Sequence, residues 1–207
     1  MIDENQMMHL LSNPGDTLSN YAISMNFNID TKKRKIIDKR DKSELDYNID
    51  AKIMVYEDRQ FEWFFNVAKR LTTDNEAGFV ILMIASSYIE SNQQYREGTA
   101  STKKSEEFFK KAAKRIFPGI AEENILLLYK EVRCGFFHDG ITRKTIFITG
   151  SQKEIFRKDG ENLIINPHLF LDRIISDFKE YMIILKDVSN KDLRNKFETF
   201  WDGFKGI

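Results

Sequence analysis

Apolar side chains recur along this chain at two different spacings, and the places where the spacing changes mark its elements. Over residues 24–30, Met25, Phe27 and Ile29 alternate with polar neighbours, the period of two that a half-buried strand requires. From Val55 the period lengthens. Phe61, Phe64, Phe65, Ala68 and Leu71 fall at steps of three and four, which predicts an amphipathic helix over about 56–73. Asp74 and Asn75 then offer N-caps for a second helix over about 76–96, apolar nearly all round and therefore expected at the centre of a bundle. A third helix is predicted from Thr102 to Phe117, stopped by Pro118 and Gly119, and a fourth from Glu122 to the neighbourhood of His138, Asp139 and Gly140. Residues 145–148 and 162–165 read as short strands around the turn at Lys158, Asp159 and Gly160. Helical spacing returns over 168–186, and 191–204 predicts a last helix through Leu193, Phe197, Phe200, Trp201 and Phe204.

The sum is an all-α bundle of four to five main helices with a small β-hairpin insertion. Residues 1–52 form a partly irregular N-terminal extension with room for a strand or two, and 53–207 form the bundle domain. The basic run Lys32, Lys33, Arg34, Lys35, Lys39, Arg40 and Lys42 lies in that extension. Ile36 and Ile37 interrupt it and Asp38 and Asp41 dilute it, so it is expected to be a solvated loop rather than a phosphate-binding arm. The cluster at 12–16 (Ser, Asn, Pro, Gly, Asp) marks a turn.

Composition narrows the class. With 207 residues the chain is long enough for a core that needs no disulfide or metal, and its one cysteine, Cys134, cannot form a disulfide within the chain. The first eleven residues carry Asp3, Glu4, Asn5 and Gln6 where a signal peptide would be apolar. The longest apolar run, 79–85, falls far short of the ~20 residues that cross a bilayer, so a cytoplasmic protein without membrane contact is expected. Lysine plus arginine number 32 and aspartate plus glutamate 32, so any nucleic-acid contact must come from local patches. One such patch is the third helix, where Lys103, Lys104, Lys110, Lys111, Lys114 and Arg115 gather opposite its apolar side and Glu106 and Glu107 partly neutralise them.

Several chemistries lack their signatures. No GxxxxGK[ST] or GxGxxG loop, HExxH pair or GxSxG elbow occurs. His9, His138 and His168 are too far apart for a local ligand pair, so neither metal nor cofactor is expected. His168 follows Pro167 at a helix start and reads as a capping or solvent-facing residue. Cys134 reads as a small buried apolar side chain.

What remains is Arg133 and His138, separated by four residues in the stretch Arg133, Cys134, Gly135, Phe136, Phe137, His138. In a regular helix such residues stand about 140° apart in azimuth and roughly 7.5 Å apart along the axis, so a bend or helix end is needed to bring them to one side. Gly135 and Gly140 are placed to provide it. A guanidinium and an imidazole so held could grip one phosphodiester, the first stabilising charge and the second moving a proton near neutral pH. Glu90 shares a face of the second helix with Met83, Ser86, Ser87 and Gln94; a carboxylate buried there needs a partner, and Arg133 is the expected one.

This arrangement resembles the R-x4-6-H motif of the HEPN superfamily, over about residues 55–188, with Glu90 standing where many members keep an acidic residue. The stretch 166–170 is similar to bacterial members other than the best-known toxins. The resemblance implies an up-and-down helical bundle that pairs as a homodimer. It implies a metal-independent endoribonuclease in which Arg133 and His138 are catalytic, Glu90 supports them, and the products carry 2′,3′-cyclic phosphate and 5′-hydroxyl ends. It further implies a setting in toxin–antitoxin pairs, stress response or phage defence, with RNA as substrate and an antitoxin or nucleotidyltransferase as partner. Active members usually carry a polar residue directly after the arginine, where this chain has Cys134. The alternative is therefore an inactive HEPN-like module that binds a nucleotide, RNA or a protein, with Phe197, Phe200, Trp201 and Phe204 supporting docking.

Overall fold

The computed structural model describes residues 23–30, 32–142 and 145–203. His9, the 12–16 turn cluster and Phe204 lie outside the described residues. Within them the chain is dominated by six continuous helical runs, α1 to α6, with two small three-stranded sheets.

The first sheet joins β1 (Phe27–Asp30), β2 (Lys35–Asp38) and β3 (Glu44–Asp46) in antiparallel order, with Ile29 opposite Ile36 and Ile36 opposite Leu45. The basic run is thus not one solvated loop. Buried Ile36 and Asp38 alternate with half-buried Lys35 and Ile37 in β2, the central strand, and the other lysines of the run lie outside it. Phe27, Ile29 and Ile36 join the same buried cluster as the helices, and Asn26 fastens the sheet to α1 through both its main-chain and side-chain nitrogens on the Asp58 carboxylate (3.0 and 2.6 Å).

Helix α1 covers 49–71. It opens as Ile49–Arg59, seven residues earlier than its apolar spacing predicts, because Asn48 caps it by accepting from the Ala51 amide at 3.0 Å. It then widens into a π-helical turn over Gln60–Phe65 before closing as Asn66–Leu71. Helix α2 (Gly78–Glu97) ends at Gly98 in the left-handed conformation (φ 72°) and packs against α3 (Ser105–Ile116), α5 (Pro167–Lys186) and α6 (Lys191–Gly203). Its central position matches its sequence, yet Phe79, Val80 and Met83 in its first turns remain exposed. Helix α4 covers 122–139: Glu122–Leu127 is α-helical, Leu128–Arg133 and Gly135–Asp139 are π-helical, and Gly140 closes it at φ 72°.

Both expected strands are present, as β4 (Ile146–Ile148) and β6 (Asn162–Ile165), but they run parallel with Ile146 opposite Leu163 and do not form the expected hairpin. The hairpin turned at Gly160 instead joins β6 to β5 (Phe156–Asp159), because Lys158 and Asp159, read as turn residues, continue a strand, and the three make a mixed sheet. The chain is therefore helix-dominated rather than purely α. At the centre, Phe178 of α5 meets Tyr56 and Phe65 of α1 and Tyr88 of α2 at ring-centroid distances of 5.6, 5.4 and 5.9 Å, all edge-on. Among the described residues no helix is long and apolar enough to cross a membrane.

Candidate active site and a buried polar cluster

Helix α2 presents Glu90 and helix α4 presents Arg133, and the two meet. Oε2 of Glu90 accepts from Nε of Arg133 at 3.1 Å and lies 2.9 Å from its Nη2, while Oε1 accepts from the Ser101 hydroxyl at 2.5 Å. Both oxygens of this buried carboxylate are thus satisfied, as its burial demands. The guanidinium remains reachable: it borders a pocket of about 160 Å³ together with Ser86, Ser87, Glu90, Ser91, Gln94 and Phe137. Its planar group also stands over the Phe137 ring, 5.0 Å from the centroid.

The helix between Arg133 and His138 departs from regular α geometry by more than the bend that the glycines were expected to provide. A π-helix closes its bonds from i to i+5, so a residue and the one five further on stand nearly one above the other. Helix α4 is π-helical on both sides of Cys134, with the Cys134 amide donating to the Tyr129 carbonyl, and the five-residue step from Arg133 to His138 spans that widened stretch. His138 is exposed at the end of the helix, next to exposed Phe137. It does not border the Arg133 pocket. The imidazole is thus open to solvent, and the guanidinium is held by a carboxylate at a shallow pocket.

The basic face of the third helix is divided by its partners. Lys103 and Lys104 precede α3, which starts later than predicted, and are exposed. Lys110 pairs with Glu106 at 2.6 Å, Lys114 with Glu122 at 2.5 Å, and Lys111 with Glu97. Arg115 turns inward and pairs with Asp177. Those carboxylates leave Lys103 and Lys104 as the members of the set for which no ion pair is found among the described residues.

Asp177 is a feature that the apolar periodicity of α5 concealed. Its carboxylate accepts from the Tyr88 hydroxyl at 2.8 Å and from Arg115, and Arg96 approaches at 4.0 Å. Arg96 and Arg115 also share Asn92 Oδ1, at 2.8 and 3.1 Å. Burial and the neighbouring aspartate push the Tyr88 hydroxyl well above its ordinary range, and burial with nearby Arg115 draws Arg96 below its own. The signal was in the sequence: Asp177 sits three residues after Ile174 and one before Phe178, a charge on the buried stripe that requires a partner.

The remaining candidates have local roles. Asn166, not His168, caps α5 by accepting from the His168 and Leu169 amides at 3.0 and 3.2 Å, and the His168 ring lies against Gly150. Cys134 is a free, half-buried thiol. Among the described residues no group of three or more His, Cys, Asp or Glu side chains is placed to hold a metal ion.

Comparison with protein-family models, with curated proteins and with solved structures finds no match to this chain.

Proposed function

We propose that this chain is a HEPN-like helical domain acting as a metal-independent endoribonuclease, and that two copies pair so that two Arg133/His138 motifs face one cleft. The observation that carries the reading is the setting of the motif: an accessible guanidinium held by a buried carboxylate, five residues before an exposed imidazole, in a π-widened helix. π-Helical turns inside α-helices concentrate at functional sites. Exposed Phe79, Val80 and Met83 on α2, with Phe137 in the last turn of α4 and Ile141 beyond it, supply the apolar surface a second copy would cover.

In this mechanism the His138 imidazole takes the proton of a ribose 2′-hydroxyl as that oxygen attacks the adjacent phosphorus. Arg133 donates to the non-bridging oxygens and stabilises their added charge. The bond to the 5′-oxygen breaks and that oxygen needs a proton, which His138 of the partner subunit delivers, leaving 2′,3′-cyclic phosphate and 5′-hydroxyl ends. Glu90 fixes the guanidinium plane. Such an activity fits a toxin, stress or phage-defence effector held in check by an antitoxin or nucleotidyltransferase.

One observation favours a second reading. Glu90 Oε2 engages both Nε and Nη2 of Arg133, the geometry of an arginine retained to fix two helices in a non-catalytic binding module. Incubation of wild type, Arg133→Ala and His138→Ala with mixed RNA in EDTA separates the two. The endoribonuclease reading expects cleavage by wild type alone; cleavage by all three alike, or by none, removes it.

A further inference from the structure

The π-helical turn in α1 has a surface consequence of its own. The apolar spacing of residues 61–71 assigns Phe64 to the buried stripe, but the wider turn shifts the register. Phe65, assigned to the same stripe, is buried, while Trp63 and Phe64 are each left 36% exposed. These two aromatics border a cleft of about 400 Å³ with Arg59, Gln60, Tyr95 and Phe200, within the ~300–1,000 Å³ range typical of small-ligand sites. Ser87, Ser91 and Gln94 of α2 line this cleft and also the pocket that holds Arg133, so the two hollows share one polar floor.

Their charges are of one prevailing sign. Arg59 is the only Asp, Glu, Lys or Arg side chain bordering the larger cleft, and Arg133 and Glu90 are the only ones bordering the smaller, giving two guanidiniums against one carboxylate. Arg59 donates from Nη2 to the Tyr95 hydroxyl at 2.9 Å, and no carboxylate among the described residues pairs with it. Its guanidinium stands over the rings of Trp201 and Tyr56, at 5.3 and 5.8 Å from their centroids, and carries further N–H donors beyond the one given to Tyr95. The Ser87 and Ser91 hydroxyls donate to main-chain carbonyls in their own helix (2.7 and 3.1 Å), which leaves their oxygens as acceptors along the floor.

Exposed flat aromatics, hydrogen-bonding floor and unpaired guanidinium are the parts of a platform for unpaired bases and their phosphates. We infer that the Trp63/Phe64 cleft is a stacking site for a base of single-stranded RNA, with Arg59 contacting the phosphate, and that it holds the strand whose scissile bond lies at Arg133. The inference deepens the endoribonuclease reading and rests on it for the choice of RNA as the strand. A duplex, whose bases are already stacked, does not enter.

The test uses the intact chain and a mixed-sequence oligonucleotide of about ten nucleotides carrying 2′-O-methyl groups, which binds without being cut. The chain has two tryptophans; Trp201 is only 1% exposed but lies under the Arg59 guanidinium, so the part of an emission change that is lost in Trp63→Phe is what reports Trp63. Quenching by the single strand and not by its duplex is expected. Trp63→Phe removes the signal but keeps affinity within about threefold, whereas Trp63→Ala weakens binding about tenfold, the scale of one lost base stack. Unchanged affinity in Trp63→Ala, or no Trp63 response to the oligonucleotide, overturns the inference. Failure of the two readings is distinguishable. A ribonuclease whose binding ignores Trp63 loses only the stacking site, and a chain that quenches and binds through Trp63 but cuts no RNA loses only the catalytic reading.

Discussion

Two carboxylates of this molecule meet arginines across helix pairs, in opposite surroundings. Asp177 of α5 is 3% exposed in its side chain and is enclosed by Tyr88, Arg115 and Arg96. Glu90 of α2 is also buried, but its partner Arg133 is 24% exposed and borders a pocket. In the first cluster the carboxylate is closed in, although Arg115 is itself 29% exposed and its Nε is buried without a partner. In the second, carboxylate and guanidinium together border a pocket. The chemistry is the same, and the bordering pocket is what marks the second pair as the candidate site.

The largest effect that sharpens this contrast is expected at Asp177. Asp177→Ala strands two arginines and the Tyr88 hydroxyl, and should lower unfolding free energy by about 3–5 kcal/mol in urea titrations. Asp177→Asn, which keeps an acceptor for Tyr88, should lose less. A loss below about 1 kcal/mol for the alanine variant would make the two clusters energetically alike and break the comparison.

A second effect comes with alkaline pH. Burial raises the hydroxyls of Tyr56, Tyr88, Tyr95 and Tyr181 above their ordinary range. A group whose folded value exceeds its unfolded one, about 10 for tyrosine, stabilises fully below that pH and loses its contribution as pH rises through the folded value. Tyrosinate absorbance should therefore rise in two stages, the buried groups ionising only together with loss of the far-ultraviolet helix signal. A single stage near pH 10 with helices intact would contradict their burial.

Smaller still is Glu90→Gln. The amide keeps one oxygen for Ser101 or Arg133, so stability should fall by about 1 kcal/mol, the worth of an ordinary hydrogen bond. RNA cleavage should fall by at least tenfold, because the guanidinium plane is no longer fixed. Lys110→Ala is the smallest: its pair with Glu106 is an exposed i, i+4 contact, and melting should move by the equivalent of no more than about 0.5 kcal/mol.

Much of this architecture was legible from spacing alone. Helices α2, α3, α5 and α6 lie close to where their apolar periods place them, and Glu90 does meet the arginine that its burial required. The failures have local causes. Periodicity assumes 3.6 residues per turn, so the π-helical turns at 60–65 and 128–139 displaced Phe64 and altered the relation of Arg133 to His138. The central strand β2 was hidden because lysines in its flanking turns masked the alternation of Ile36 and Asp38. β5 escaped because Phe156–Asp159 carries little apolar alternation and ends in residues read as a turn, and the parallel pairing of β4 with β6 is a long-range relation that no local pattern records. Counting lysines likewise gave α3 a basic face. Glu97, Glu106, Glu122 and Asp177 then occupy four of its six cations, three of those carboxylates arriving through tertiary structure or the next helix.

The central claim is that the accessible motif, unlike the enclosed Asp177 cluster, exists for chemistry. The most direct measurement takes wild type and His138→Ala from matched preparations and records both thermal melting and cleavage of single-stranded RNA in EDTA, with product ends mapped. Because His138 is exposed, its removal should leave the melting temperature within about 2 °C, a change of no more than about 1 kcal/mol at this chain length. Cleavage by wild type to 2′,3′-cyclic phosphate ends should fall at least a hundredfold in the variant, the scale of a lost acid–base catalyst. Equal cleavage by the two proteins, or none by the wild type, would contradict the account.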